Sequence, residues 1–375
     1  MIIGFDFRMG GSINSGIGRY AFELLKALLE QDRENKYAVF YNQNNVDWAD
    51  LKILQSFSNV ELVATSIRHY SLAEQLSFPR ILKKYRCDLV HFPNFNVPVF
   101  YNRPFVVTIH DLVHHKISGH KKTHLPHFLA YKYIIKSAAV RAQQIITVSE
   151  AVKQDIIKLL KVNPEKIQVI YEGALLKPQQ EAKINQVKQK FLLERPYLLF
   201  VGTLERKKNI VGLAKGFDAF LNKYKLDMDL VIAGKVDPHY PGIKLAALHI
   251  KHKDHLVFTG FISNEDLAAL YQGAYAFISA SLHEGFGLPG VEAMNFGLPL
   301  LVSNIAVFNE VYDNAAIYFD PNNSGDIAEK IFLLSSDEQF YKKIQNQSLV
   351  RGAQFGWPET AKQTLQIYNQ VLDKL

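Results

Sequence analysis

Two glutamates eight positions apart, Glu284 and Glu292, bracket a glycine-rich turn within the stretch Ala276 to Ser303. The stretch opens on an apolar run, Ala276 to Ser281, and closes on a second, Leu298 to Val302. Between them Gly285, Gly287 and Gly290 punctuate a loop, Pro289 stands at the first helical position and Gly297 at a helix C-terminus. This spacing reads as strand, glycine loop, short helix and buried strand, one βαβ unit. Such a loop brings free backbone N–H groups and the positive end of a helix dipole to one point, a phosphate site. A carboxylate would repel phosphate, so the two glutamates are expected to face hydroxyls. Loop N–H groups for phosphate and acids for sugar hydroxyls together suggest a nucleotide sugar.

Lysines recur where a second strand ends. Tyr197 to Val201 runs into GTLERKKNI, with Gly202 at the turn, Lys207 and Lys208 in the loop and Asn209 at the entrance of the next helix. Cations at such a helix mouth would neutralise a diphosphate leaving group. Earlier in the chain the strand Phe105 to Ile109 ends in His110-Asp111. Ligands of open α/β sheets bind beyond the carboxyl ends of the strands, so His110 is well placed. The first strand, Met1 to Phe7, leads into Met9 to Gly18 (MGGSINSGIG) and then a helix from about Ile17 to Glu30. No acidic residue ends the next strand in the way a dinucleotide site requires.

These features resemble the retaining GT-B glycosyltransferases with a Glu-x7-Glu motif, the glycosyltransferase group 1 or mannosyltransferase-like family. The resemblance rests on Glu284-Gly285-Phe286-Gly287-Leu288-Pro289 and Glu292, and on GTLERKKNI. It implies an α/β protein of the GT-B fold, with two Rossmann-like domains facing a cleft and a C-terminal helix crossing back to the first. The implied boundaries are 1–175 with 359–375 for the acceptor-side domain and 183–358 for the donor domain. In that family Glu284 would contact the transferred sugar and Glu292 the ribose, and the loop with Gly285, Phe286, Gly287 and Leu288 would hold phosphate. Gly16 and Gly18, with Arg19 beside them, match a loop that closes over the donor phosphates. His110 matches a histidine beside the transferred sugar. The backbone around Phe261 and Ile262 would read the base, with Leu267 packed against it. The family's mannosyltransferase branch reads Gly-Thr-Leu-Glu-Pro-Arg-Lys-Asn where this chain has Arg206 and Lys207, so one bidentate guanidinium is replaced by an ammonium. Catalysis is thus expected from His110, Glu284 and Lys208, with Gly202 and Lys207 beside the phosphates, no metal and no permanently bound cofactor. The donor implied by GTLERKKNI is GDP-mannose, with UDP-glucose next. The acceptor is expected to be a cell-envelope glycan or a lipid-linked one.

The elements that carry these residues alternate through 375 residues, beyond one typical core. Strands are expected at Tyr37 to Tyr41, Glu61 to Thr65, Asp88 to Phe92, Gln144 to Val148, Ile167 to Tyr171, Asp229 to Ala233 and Leu256 to Thr259, and one helix from Ser71 to Lys84. Leu175 to Ala182 reads as a linker, and Trp357-Pro358 leads the final helix. A single cysteine, Cys87, excludes an internal disulfide framework. Hydrophobic content of 48% with no apolar run of about 18 residues argues against a membrane span, and the N-terminus lacks a signal-peptide plan. A cytoplasmic location is expected.

Charge is uneven. Residues 1–180 hold 23 Lys and Arg against 15 Asp and Glu, a net +8, and the rest hold 20 against 21, a net −1. The first half is therefore expected to meet something anionic: nucleic acid, a phosphorylated acceptor or a membrane surface. His114, His115, His120, His124 and His127 crowd one stretch with Lys116, Lys121 and Lys122, but no carboxylate accompanies them as a metal partner. The helix after Pro126 mixes Phe128, Leu129, Tyr131 and Tyr133 with Lys132, Lys136 and Arg141. It suits either an anionic bilayer on the inner face of the cell membrane or a core packing in which the lysines reach out to water. Two rival functions share parts of this pattern. A GT-B epimerase would use the same fold and substrate class, and a nucleic-acid-binding protein would use the basic half. The main expectation has a nucleotide-sugar donor, a glycan acceptor and no nucleic acid.

Overall fold

A computed structural model of the chain describes residues 1–11, 15–112, 125–174 and 176–375. It divides into two compact units, Met1–Gly173 with Gly356–Leu375, and Ala174–Phe355. Among the described residues the first unit carries β1 (Ile2–Asp6), β2 (Lys36–Asn42), β3 (Val60–Thr65), β4 (Leu89–Phe92), β5 (Phe105–Ile109), β6 (Gln144–Thr147) and β7 (Ile167–Val169). They form one sheet in the order β3-β2-β1-β4-β5-β6-β7, parallel throughout. The second unit carries β8 (Tyr197–Val201), β9 (Asp229–Ala233), β10 (Leu256–Gly260), β11 (Ala276–Ser279), β12 (Leu300–Ser303) and β13 (Ala316–Phe319). Their order is β10-β9-β8-β11-β12-β13, again parallel. These are two Rossmann-like α/β domains.

Sequence dictates this layering simply. Central strands such as β5 (FVVTI), β9 (DLVIA) and β12 (LLVS) are buried at every position, because helices cover both faces of a parallel sheet. Edge strand β3 alternates between buried and exposed over its last four residues (LVAT is half-buried, buried, exposed, buried). In the first unit the helix Ser15–Gln31 turns Leu24, Leu25 and Leu28 onto a core that also holds Trp357, Ala361 and Tyr368 of the C-terminal helix Trp357–Leu372. That return is pinned by polar contacts as well: Gln31 Nε2 donates to the Pro358 carbonyl at 2.9 Å, and Thr360 Oγ1 to the Tyr171 carbonyl at 2.8 Å.

Three local expectations need correction. The helix expected over Ser71 to Lys84 is two, Leu72–Leu76 and Phe78–Lys84, because Pro79 cannot continue a helix and instead sits in the first turn of the second. The first long helix starts at Ser15 rather than about Ile17, so Gly16 and Gly18 lie in its first turn. The segment after Leu175 groups with the second unit rather than running free. Gln179 N donates to Gln272 Oε1 at 2.5 Å, and Gln272 Nε2 returns a bond to the Gln179 carbonyl at 3.2 Å.

The helix Leu125–Arg141 takes Pro126 in its first turn and buries Ile135, Ala138 and Ala139. Its opposite face leaves Leu129, Lys132, Tyr133, Lys136 and Val140 exposed at helical spacing. Arg141, expected among the surface cations, is instead half-buried. It donates to the carbonyls of Tyr101 and Pro98 and to Ser137 Oγ.

Candidate functional site

In the second unit the strand order reverses between β8 and β11, the place at which open α/β sheets bind ligands beyond the carboxyl ends of their strands. The loops that follow these two strands carry the lysines and the first glutamate. Lys208, 76 residues before Glu284, places Nζ 2.5 Å from Glu284 Oε1. Ser281 Oγ donates to the same oxygen at 2.8 Å, and the backbone ties the loops together through Leu282 N to the Lys207 carbonyl at 2.7 Å. Burial alone would push the Glu284 carboxyl up. The charges of Lys208 and Lys207 and the bonds from Lys208 and Ser281 outweigh it and hold the group below the usual 4.5. The result is an ionised carboxylate with a cation at its side, 11% and 13% exposed respectively.

Gly202 leaves β8 with φ +153°, and a Cβ on Gly234 at the end of β9 would stand 2.0 Å from the Gly202 carbonyl oxygen. The two strand ends therefore abut and leave the lysine turn, Arg206–Lys208, standing above them. Asn209 enters the helix Ile210–Tyr224 in a left-handed conformation, its Nδ2 bonded to the Pro321 carbonyl at 2.8 Å. Lys207 lies 3.5 Å from Glu205.

The helix Leu288–Asn295 begins at Gly287, whose φ of +98° and whose contact with Tyr312 both demand glycine: a Cβ there would sit 2.2 Å from Tyr312 Oη. Tyr312 Oη itself donates to the Gly287 carbonyl at 2.6 Å, which fixes the turn while Gly285 and Leu288 stay half-buried. Phe286 is buried with its ring against Phe355, so the ring packs within the unit. Glu292, one turn into the helix, is buried with Oε2 3.1 Å from Tyr271 Oη. At the end of edge strand β10, Phe261 is exposed and Ile262 half-buried, and Leu267 is buried in the helix Asn264–Gly273 that Ser263 caps.

In the first unit His110 directly follows β5. Its Nε2 lies 2.9 Å from the Pro93 carbonyl and its Nδ1 3.1 Å from Glu172 Oε1. Gly16 is exposed, and among the described residues no atom lies within 4 Å of a Cβ built on it. Gly18 is buried, its carbonyl accepting from Gly11 N at 2.9 Å, and Arg19 is half-buried.

Known proteins match both units. Residues 182–350 match the family described as glycosyl transferases group 1, and residues 14–174 match glycosyltransferase family 4. The chain is a glycosyltransferase. It is 28% identical to O-antigen chain mannosyltransferase B of Escherichia coli, over 94% of this chain and 96% of that protein. It is 27% identical to the serotype-specific mannosyltransferase WbdA of the same organism, of which it spans 46%. Among solved structures, Anabaena HepE in complex with UDP and glucose superposes with a TM-score of 0.77 at 17% identity, covering 99% of this chain and 100% of that one. That likeness identifies the fold as GT-B.

Several side chains that shape this glycosyltransferase escaped the sequence reading. Ser281 falls at the end of an expected strand, and Tyr271, Tyr312 and Glu172 are not among the residues expected at the site. In the first unit Arg8, fully buried, pairs with Asp6 at 2.8 Å and Glu74 at 2.9 Å beneath the ring of Phe78. An Asp and an Arg two apart at the end of an apolar strand is the signal that could have found it. His114, His115, His120 and His124 lie outside the described residues. Among those described, no group of three or more His, Cys, Asp or Glu is placed to hold a metal ion, and no helix is long and apolar enough to cross a membrane.

Proposed function

We propose that this glycosyltransferase moves a hexose, mannose from GDP-mannose, onto a hydroxyl of a cell-envelope glycan or lipid-linked acceptor, with retention of configuration and without a metal. The observation that carries the donor site is the Lys208–Glu284 contact at the strand-order reversal of the second unit. An ammonium has three donors, and one bond to Glu284 leaves two for a diphosphate. The leaving phosphate would be met by Lys207, Lys208 and the N-terminus of Leu288–Asn295, a preorganised set that costs no reorganisation during reaction. Glu284 would hold a hydroxyl of the sugar, Glu292 the ribose, and Phe261, Ile262 and Leu267 the base. Gly202 keeps the lysine turn close, while Gly16, Gly18 and His110 are assigned to donor phosphates and sugar. The departing phosphate oxygen would take the acceptor's proton on the face it leaves, so no pair of carboxylates serves as nucleophile and acid. Membership of the glycosyltransferases displaces the epimerase and nucleic-acid readings. Mannose is supported by the named activity of the E. coli relatives.

We further infer that the exposed stripe Leu129, Lys132, Tyr133, Lys136 and Val140 rests on an anionic membrane, which suits a lipid-linked acceptor. The donor is tested by a thermal-shift screen of GDP, UDP, GDP-mannose and UDP-glucose, since binding to the folded state raises its stability. The expected result is stabilisation by GDP and GDP-mannose, followed by transfer of labelled mannose. Stabilisation by uridine nucleotides alone would replace the donor with UDP-glucose.

A further inference from the structure

The imidazole of His110 is built into the first unit on both sides. One ring nitrogen faces a backbone carbonyl, Pro93 O, and the other a carboxylate, Glu172 Oε1. A carbonyl oxygen only accepts, and so does an ionised carboxylate. Both ring nitrogens must then donate, and an imidazole with two N–H groups is a cation. The surrounding charges agree. Burial opposes protonation, but the hydrogen bond and charge of Glu172, the Pro93 carbonyl and Asp111 together raise the His110 pKa above 6.5. Its neighbour His91 takes the opposite state. That ring bonds Thr108 Oγ1 at 2.8 Å and Tyr368 Oη at 2.6 Å, hydroxyls that serve either role, and burial lowers it to about 3. The edge of Tyr20 closes the His110 ring from a third side at 4.5 Å between centroids.

We propose that Glu172 is a positioning residue for glycosyl transfer, holding His110 in one orientation with both ring nitrogens protonated. The C-terminal helix is the clamp that holds Glu172. On one side of it the Tyr171 carbonyl is bonded by Thr360, and on the other a Cβ on Gly173 would stand 2.3 Å from Trp357 N. Trp357 also meets Tyr20, ring to ring, at 5.9 Å. A fixed imidazolium cannot take a proton from the acceptor hydroxyl. It can stabilise negative charge that develops on a phosphate oxygen, and it pre-exists the reaction. This inference rests on the glycosyltransferase reading with His110 at the reacting sugar.

The test uses the full chain. Glu172→Gln keeps an oxygen for Nδ1–H and removes the charge, whereas Glu172→Asp keeps the charge. NMR of the ring nitrogens, without substrate, is expected to show wild-type His110 still doubly protonated at pH 7, with a midpoint lower by about one pH unit or more in Glu172→Gln. In transfer assays from pH 5.5 to 9 the alkaline limb of kcat is expected to move down by the same amount. The loss at pH 8 then exceeds the loss at pH 6 by about tenfold per unit moved, donor KM stays put, and Glu172→Asp restores part of the limb. A wild-type His110 that is neutral at pH 7 overturns the inference even if no variant folds. So does a Glu172→Gln profile that superimposes on wild type. Because the titration needs no donor, an inactive protein with the expected titration would sink the assigned reaction and leave the Glu172–His110 pair standing.

Discussion

At the scale of single residues, Lys208 and Glu284 are asked to do different things with one contact. Glu284 should touch only the sugar, so Glu284→Ala is expected to cut transfer roughly a hundredfold, by analogy with removing one preorganised donor. Affinity for the nucleoside diphosphate should stay nearly intact by calorimetry, and an equal loss of both would remove Glu284 from the sugar. Lys208→Ala should lose diphosphate affinity and turnover together. It also strands a buried carboxylate, and breaking a buried pair from one side costs about 3 kcal/mol. Urea unfolding of Lys208→Ala should show that loss, and the double variant Lys208→Ala with Glu284→Ala should recover part of it. A Lys208→Ala protein with normal turnover would return that lysine to the ordinary surface.

At the scale of elements, two glycines at helix starts make opposite predictions. Gly287 has a left-handed backbone and Tyr312 within contact of any Cβ. Gly287→Ala is expected to destabilise by about 1–2 kcal/mol from the backbone alone, with a further cost as Tyr312 is displaced. Gly16 lies in the first turn of Ser15–Gln31, and a Cβ there would meet none of the described residues. There Gly16→Ala should hold or raise the melting temperature, since alanine favours helix by up to about 1 kcal/mol. Its donor KM or kcat should nevertheless worsen about tenfold or more, because a ligand phosphate would approach where the methyl stands. Full activity in Gly16→Ala would make this a plain helix start. The helix Leu125–Arg141 separates in the same way. Lys132→Glu with Lys136→Glu should abolish flotation with anionic vesicles at low salt, each lysine contributing about 1 kcal/mol near the surface, with circular dichroism unchanged. Arg141→Glu should instead unfold locally, since its partners are carbonyls of the loop beneath. Wild-type protein that ignores such vesicles ends the membrane proposal.

At the scale of the whole molecule, stability should depend on pH through groups of opposite sign. His91, with its pKa lowered to about 3, stays neutral in the folded chain while an unfolded chain protonates it near 6.5. Its unfavourable contribution therefore begins as pH falls through 6.5 and grows toward 3, about 2 kcal/mol between pH 7 and 5. Asp6, Asp266 and Glu284 are lowered from their ordinary values, so they stabilise above those values and cease to do so as pH falls through the lowered ones. His110, raised, stabilises below 6.5 and loses that contribution as pH climbs through its folded value. Melting curves should accordingly fall between pH 7 and 5, before the carboxylates titrate, and His91→Gln should flatten that part of the curve. A wild-type protein equally stable at pH 5 and 7 would show that His91 is not held neutral.

The sequence by itself determined the elements and most of the chemistry's raw material. Continuous apolar runs mark strands buried on both faces, and the glycines, Pro289 and the flanking glutamates name a phosphate-binding βα turn, because those signals act within a few residues along the chain. Local rules also erred locally, as when Ser71 to Lys84 read as one helix although Pro79 divides it. Pairings across the chain were decided only by tertiary structure. Nothing near residue 208 announces Glu284; the reversal of strand order between β8 and β11 brings them together. The partner of His110, 62 residues later, is held in place by a helix that returns from the end of the chain. A residue type can be read from one position, but charge state and orientation depend on which distant groups the fold sets beside it.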